Sequence, residues 1–141
     1  MLIPKKAKHR KWQVGRKSAR RLARPDTRGL TVSFGSHGLK ATSQARVTAN
    51  QLESARKVIS RTLGKTGKIW IRVFPDRPVT AKPAEVGMGS GKGDPKGYVC
   101  EVHPGRVLFE VDGVTDAVAR EALRKASTKL PLTARVIART H

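Results

Sequence analysis

Gly87-Met88-Gly89-Ser90-Gly91-Lys92-Gly93 is the stretch of this chain whose residue types and spacing first suggest chemistry. Glycines alternating with a lysine let backbone N–H groups come close to phosphate oxygens. A nucleotide-hydrolysing phosphate loop needs G-x-x-x-x-G-K followed by Ser or Thr, whose hydroxyl reaches magnesium. Here the residue five before Gly91 is Val86 and the residue after Lys92 is Gly93, so both conditions fail. The segment also leads into a strand pattern and not into a helix. What survives is a backbone surface able to lie along nucleic-acid phosphates, or a plain solvent loop.

No other constellation points to catalysis. His9, His37, His103 and His141 are scattered, with no second ligand at metal spacing, so no metal and no cofactor are expected. Cys100 alternates with Tyr98 and Val102 and reads as a small packed strand residue; a single cysteine also excludes an intrachain disulfide framework. Glu121 sits among Arg120, Arg124 and Lys125, where helix-surface charge balance accounts for it. The chain is expected not to be an enzyme.

The cations are the dominant signal. Thirty Lys and Arg against ten Asp and Glu give 141 residues a formal charge of +20. Such an excess repels itself in a compact chain and is expected where phosphates neutralise it. Residues 1–28 concentrate it, with eleven basic side chains and one acid, Asp26. Lys5, Lys6, Lys8, Arg10, Lys11, Arg16, Lys17, Arg20, Arg21, Arg24 and Arg28 alternate with small or polar residues, interrupted by Pro4, Gly15 and Pro25. This reads as an extended arm ordered mainly when bound, with a short helix near Lys17–Ala23. Trp12 within it has two open readings, stacking on a base or ribose and anchoring the arm to its own domain. No run of about 20 apolar residues is present and no apolar stretch follows the basic start, so neither a membrane span nor a secretory signal is expected.

Behind the arm, the elements read as one domain. Val32 and Phe34 begin a strand-like stretch, Gly35 and Gly38 bracket a turn, and Leu39–Val47 offers two short strands. Thr48 and Gln51 form a capping box. Leu52, Ala55, Val58, Ile59 and Leu63 then recur at helical spacing until Gly64, with Lys57 and Arg61 on the outer face. Lys68–Phe74 alternates as a strand with large apolar groups on both sides, which predicts a central position. A long Gly/Pro-rich loop spans 75–97; its length calls for a partner or a purpose. Tyr98–Val102 and Val107–Val111 read as a hairpin, Thr115–Leu130 as a second helix stopped by Pro131, and Ala134–Ala138 as a last strand. The expected fold is α+β: a basic N-terminal arm (1–30) and a single domain (31–141) with a mixed or antiparallel sheet and two packed helices.

Several stretches also carry a resemblance. Gly67-Lys68-Ile69-Trp70-Ile71-Arg72-Val73-Phe74-Pro75-Asp76-Arg77-Pro78-Val79-Thr80, with Lys82-Pro83-Ala84-Glu85, Met88-Gly89, Gly91-Lys92-Gly93 and Pro104-Gly105-Arg106-Val107-Leu108-Phe109-Glu110, resembles the bacterial large-subunit ribosomal protein L-sixteen family. So do Ala119-Arg120-Glu121-Ala122-Leu123, Lys129-Leu130-Pro131, Val32-Ser33-Phe34-Gly35 and the opening Met1-Leu2-Ile3-Pro4-Lys5-Lys6. The resemblance implies an α+β fold, a cytoplasmic place in the large ribosomal subunit, rRNA and neighbouring ribosomal proteins as partners, and no homo-oligomer. It also implies that the arm threads among rRNA helices and that Lys82, Met88, Gly89, Ser90, Gly91, Lys92 and Gly93 reach toward aminoacyl-site and peptidyl-site tRNA near the peptidyl-transferase centre, with a part in late subunit assembly.

The expected rRNA contacts are the eleven arm cations with Trp12, joined by Arg56, Lys57 and Arg61 of the first helix. Two departures bear on the loop: Gly87 stands where the family usually has an arginine, hydroxylated in some bacteria, and Ser90 where a lysine is common. Its remaining charges, Arg77, Lys82, Lys92 and Lys96 against Asp76, Glu85 and Asp94, leave only +1. Gly97-Tyr98 replaces a more usual aromatic pair, and there is extra sequence around Arg20–Arg28. The alternative reading is a free-standing RNA-binding assembly or regulatory factor outside the ribosome.

Overall fold

The computed structural model describes residues 2–6, 24–81 and 94–139. Local chemistry places the helices where the periodicity puts them. In α1 (Ala49–Leu63), Thr48 Oγ1 accepts the Gln51 N–H at 3.2 Å and Gln51 Oε1 accepts the Thr48 N–H at 2.9 Å, closing the capping box. Gly64, at φ 72°, ends the helix in a conformation that other residues resist. α2 (Asp116–Ser127) starts on the Thr115 cap and stops at Thr128, three residues short of the expected Pro131 boundary. There the N–H groups of Thr128, Lys129 and Leu130 bond three residues back, to the Lys125, Ala126 and Ser127 carbonyls, while the Ser127 and Thr128 hydroxyls bond to the Arg124 and Lys125 carbonyls, so the chain tightens out of α-helical geometry.

The strands are β1 (His37–Ala41), β2 (Ala45–Thr48), β3 (Lys68–Ile71), β4 (Arg77–Ala81), β5 (Asp94–Val102), β6 (Val107–Asp112) and β7 (Ala134–Ala138). They form two antiparallel sheets, one ordered β3-β6-β1-β7 and one ordered β2-β5-β4. The fold is α+β, with two sheets where one was expected. β5 and β6 do not form the expected hairpin: β5 pairs with β2 and β4, whereas β6 pairs with β1 and β3. His103–Arg106 carries the chain from one sheet to the other. There the Gly105 N–H donates to the Ala41 carbonyl and the Ala41 N–H to the Arg106 carbonyl.

Strands also occupy Arg77–Ala81 and Asp94–Gly97 within the Gly/Pro-rich stretch. Pro78 is tolerated because β4 is an edge strand, and Pro95 because β5 has only β4 beside it there, next to a register shift at Val79/Thr80.

One core runs through both sheets. Leu39, Phe109 and Val111 of the larger sheet, Val47, Cys100 and Val102 of the smaller, and Leu52, Ile59, Ala122 and Leu123 of the helices are buried in a single cluster. Directly paired residues share a face. His37 with Val111, Leu39 with Phe109, and Ile69 with Val111 therefore look toward the helices, while Gly38, Glu110, Trp70, Lys40 and Arg135 look away.

That second face explains an incorrect expectation. β3 is an edge strand, not a central one. Trp70 is covered from the far side by residues 26–36, which cross the sheet as a strap and not as the expected strand. Val107 donates to the Gly29 carbonyl at 2.7 Å. Val32 packs on Gly38, which lies within β1 and not in a turn; an added Cβ there would come 2.8 Å from Val32 Cγ2. Gly35 sits so close to β6 that a Cβ would fall 2.4 Å from the Val111 carbonyl oxygen.

Glu110 fastens the strap. Its carboxylate, fully buried, accepts the N–H groups of Ser33 (2.9 Å), Phe34 (2.7 Å) and Gly35 (2.9 Å) on Oε1, and Oε2 takes the Arg72 guanidinium. Burial alone would raise the carboxyl pKa, but the Gly35 and Phe34 N–H groups and Arg72 outweigh it and hold the value below the usual range. A depressed native pKa stabilises the fold above the unfolded value and loses that contribution as the pH falls through the native one. Glu110→Gln should therefore cost about 2–3 kcal/mol at neutral pH by urea unfolding. The gap between the two proteins should close as the pH drops below the ordinary carboxyl value of 4.5; a constant gap across that window would exclude an ionised Glu110.

Candidate nucleic-acid interface

Charge is sorted by the fold. Asp26, Glu53, Glu101, Glu110, Asp116 and Glu121 each hold at least one arginine. These acids are consumed internally, so the cations left over define the outward electrostatic face. Among the described residues no ion pair engages Lys57, Arg61, Lys65, Lys68 or Lys129, and all five are exposed.

The predicted contacts divide accordingly. Lys5 and Lys6 are exposed, while Leu2 and Ile3 before them border clefts of the domain. Leu2 lies with Phe74, Arg77, Glu101 and Arg106, and Ile3 with Tyr98 and Val99. Arg24 and Arg28 point outward on either side of an inward Asp26. Asp26 Oδ1 accepts the Thr27 and Arg28 N–H groups at 2.9 and 3.3 Å, and Oδ2 holds Arg106 at 3.2 Å. The Asp26 N–H also donates to the Pro104 carbonyl, so the chain is tied to the body from this residue onward.

On α1, Lys57 and Arg61 lie one turn apart on the exposed side, as expected from the helical period. Arg56 differs: Glu53 takes its guanidinium in a two-point grip at 2.5 and 3.2 Å, and that hydrogen bond holds the Glu53 carboxyl below its usual pKa. Lys8, Arg10, Lys11, Trp12, Arg16, Lys17, Arg20 and Arg21, and Lys82 with Met88–Gly93, lie outside the described residues.

Sequence reasoning missed a second group of cations. Lys40 and Arg135 stand directly opposite each other across β1 and β7, and Arg139 follows four residues on, just past β7; neither Lys40 nor either arginine has an acid partner among the described residues. The available signal was the period of two in β7, which places Arg135, Ile137 and Arg139 on one side. Their neighbours across the sheet could not be read from it.

The described clefts lack catalytic furniture. The cleft of about 460 Å³ between β3, β4 and β5 is lined by Arg72, Arg77 and Arg106 with Asp76 and Glu101, and Cys100 lies in its wall. Burial pushes the Cys100 thiol up to about 11, away from the thiolate form that nucleophilic chemistry needs. No group of metal-ligating side chains occurs among the described residues. No described helix is long and apolar enough to cross a membrane.

The family model for ribosomal protein L16p/L10e matches residues 4–137. The chain belongs to that family. The large ribosomal subunit protein uL16 of Polaromonas naphthalenivorans (strain CJ2) is 52% identical over 139 residues, which make up 99% of this chain and 97% of that protein. As an L16p/L10e protein the chain is a structural ribosomal component and not an enzyme, in keeping with its failed phosphate loop and buried thiol. The matched span takes in both the arm and the segment 82–93. The burial of Cys100 and its raised pKa predict that it has only a packing role. Native protein should react with iodoacetamide at least ~100-fold more slowly than urea-unfolded protein; equal rates would place the thiol at the surface.

Proposed function

We propose that this chain is a structural constituent of the large subunit of the cytoplasmic ribosome, where it binds large-subunit rRNA and lies beside tRNA. The carrying observation is the division of charge, with six acids paired to arginines while Lys57, Arg61, Lys65, Lys68 and Lys129 stand exposed with no ion pair among the described residues. A surface built this way has no internal use for its remaining cations, and phosphates are their natural counterions. Arm residues 1–30, led by Lys5, Lys6, Arg24 and Arg28, supply one part of the grip, and Lys57 with Arg61 on α1 another. The body, 31–141, holds both in place. Arg56 contributes less than its position suggests, because Glu53 competes for it.

The segment from Lys82 to Gly93, which follows β4 and precedes β5 in sequence, contacts aminoacyl-site and peptidyl-site tRNA and helps order that region late in assembly. With Gly87 and Ser90 in place of cations, it acts through shape and backbone donors more than through charge. Lys92→Ala should accordingly lower tRNA affinity of purified ribosomes by less than about tenfold. A larger loss would show that charge governs the contact.

Binding of the isolated protein to an rRNA fragment should fall steeply with salt, with a logarithmic slope of about −0.7 to −0.9 for each phosphate neutralised. The Lys57→Ala/Arg61→Ala double variant should shallow that slope by about 1.5. An unchanged slope would remove α1 from the interface. Cosedimentation with large subunits in high-salt sucrose gradients separates a ribosomal constituent from a free-standing RNA-binding factor.

A further inference from the structure

We propose that Phe34, laid over Trp70 and held beside Arg72, is a stacking platform for an unpaired RNA base. The proposal rests on the RNA-binding reading above and specifies one contact that the cation pattern does not reveal. Phe34 is 56% exposed, the highest value among the large hydrophobic side chains described. It is nevertheless firmly placed. Its N–H donates to the buried Glu110 carboxylate at 2.7 Å, and the N–H groups on either side of it bond the same oxygen. Its ring lies 6.2 Å from that of Trp70 with the planes 21° apart, and the Arg72 guanidinium carbon is 5.0 Å from its centroid.

An aromatic ring fixed before any ligand arrives loses little freedom on binding, which favours affinity. Phe34 offers no hydrogen-bonding group, so its partner has to be recognised by a flat π face. Nucleobases are bound in this way, on aromatic rings and arginine planes, and single-stranded segments expose the faces required.

Electrostatics selects RNA over an apolar protein surface. On the same face of the sheet, Lys40 and Arg135 are opposed in register, an arrangement of like charges that a phosphate would relieve. Lys68 lies two residues before Trp70 on β3, and Arg28 and Arg139 stand exposed on the strap and after β7. The nearby acids are Asp26 on the strap, committed to Arg106; Glu110, buried and committed to Arg72; and Asp112, which sits across from Lys68 and accepts the Gly113 N–H. The balance of the face is positive.

The test uses the full-length chain at fixed ionic strength, with oligouridylate as the single-stranded probe and a duplex RNA of equal length as control. Phe34→Ala and Phe34→Leu should each weaken oligouridylate binding about tenfold while leaving duplex binding unchanged, and Phe34→Tyr should keep wild-type affinity. Leucine is the informative substitution, since it preserves apolar contact but not the π face. Thermal unfolding of each variant identifies any loss that comes from misfolding, and Phe34→Tyr supplies a folded reference.

Wild-type affinity of Phe34→Ala and Phe34→Leu for both probes would overturn the platform and leave the cation-based reading standing. Normal RNA binding combined with poor incorporation of Phe34→Ala into large subunits would assign the surface to a neighbouring protein and overturn it equally. No salt-dependent binding of either RNA by the wild-type chain would remove the RNA-binding reading, and the platform with it.

Discussion

A single buried carboxylate holds the N-terminal strap to the body. Glu110 is fully enclosed, yet it accepts three consecutive backbone N–H groups and an arginine. An ion placed there without partners would be strongly destabilising, and with four donors it is satisfied. The three N–H groups belong to Ser33, Phe34 and Gly35, which have no strand partner of their own. The same carboxylate therefore solves two problems, supplying acceptors to an irregular segment and neutralising Arg72 on the edge strand. Just upstream, Gly29 is bonded to β6 and Asp26 to the turn before it, so the strap is held at several points along its length.

A protein with this much positive charge has few acids, and where they sit decides what the cations can do. Here they are spent on arginines whose positions matter to the fold: Arg72 under the strap, Arg106 at the crossing between sheets, and Arg46 and Arg77 on either side of Glu101 in the smaller sheet. Lysines and the remaining arginines face outward. Arginine suits the internal pairs because its guanidinium stays charged and is weakly hydrated, while lysine is a mobile, hydrated charge suited to a phosphate backbone. The division of labour supports a ribosomal role: acids such as Glu101 and Glu110 are already paired with arginines, and the body's excess of cations is left for a polyanion.

The two sheets, joined at His103–Arg106, let one short chain present this exterior on several sides. α1 packs against the second sheet and β3, α2 against β1, β6 and β7, and the core is continuous beneath both. β4 and β5 of the smaller sheet flank, in sequence, the segment proposed to contact tRNA. The two strands are braced by Arg77 on Glu101 and by pairing from Arg77–Val99 through Ala81–Asp94.

Local signals determined the helices, because a capping box, a 3.6-residue apolar period and a glycine stop act within a few neighbouring residues. β7 was legible from its alternating pattern, and the family resemblance added the ribosomal setting. Strand partnership was not legible: Tyr98–Val102 and Val107–Val111 look like a hairpin in sequence, yet hydrogen bonds to residues far along the chain put them in different sheets. Trp70 suggested a central strand because it needed cover, and only the folded chain shows that Phe34 and the strap provide it. Glu110 and Arg135 occupy ordinary alternating positions in their strands. Burial beneath the strap and the register against Lys40, both products of long-range packing, make one a buried anchor and the other part of an unneutralised pair.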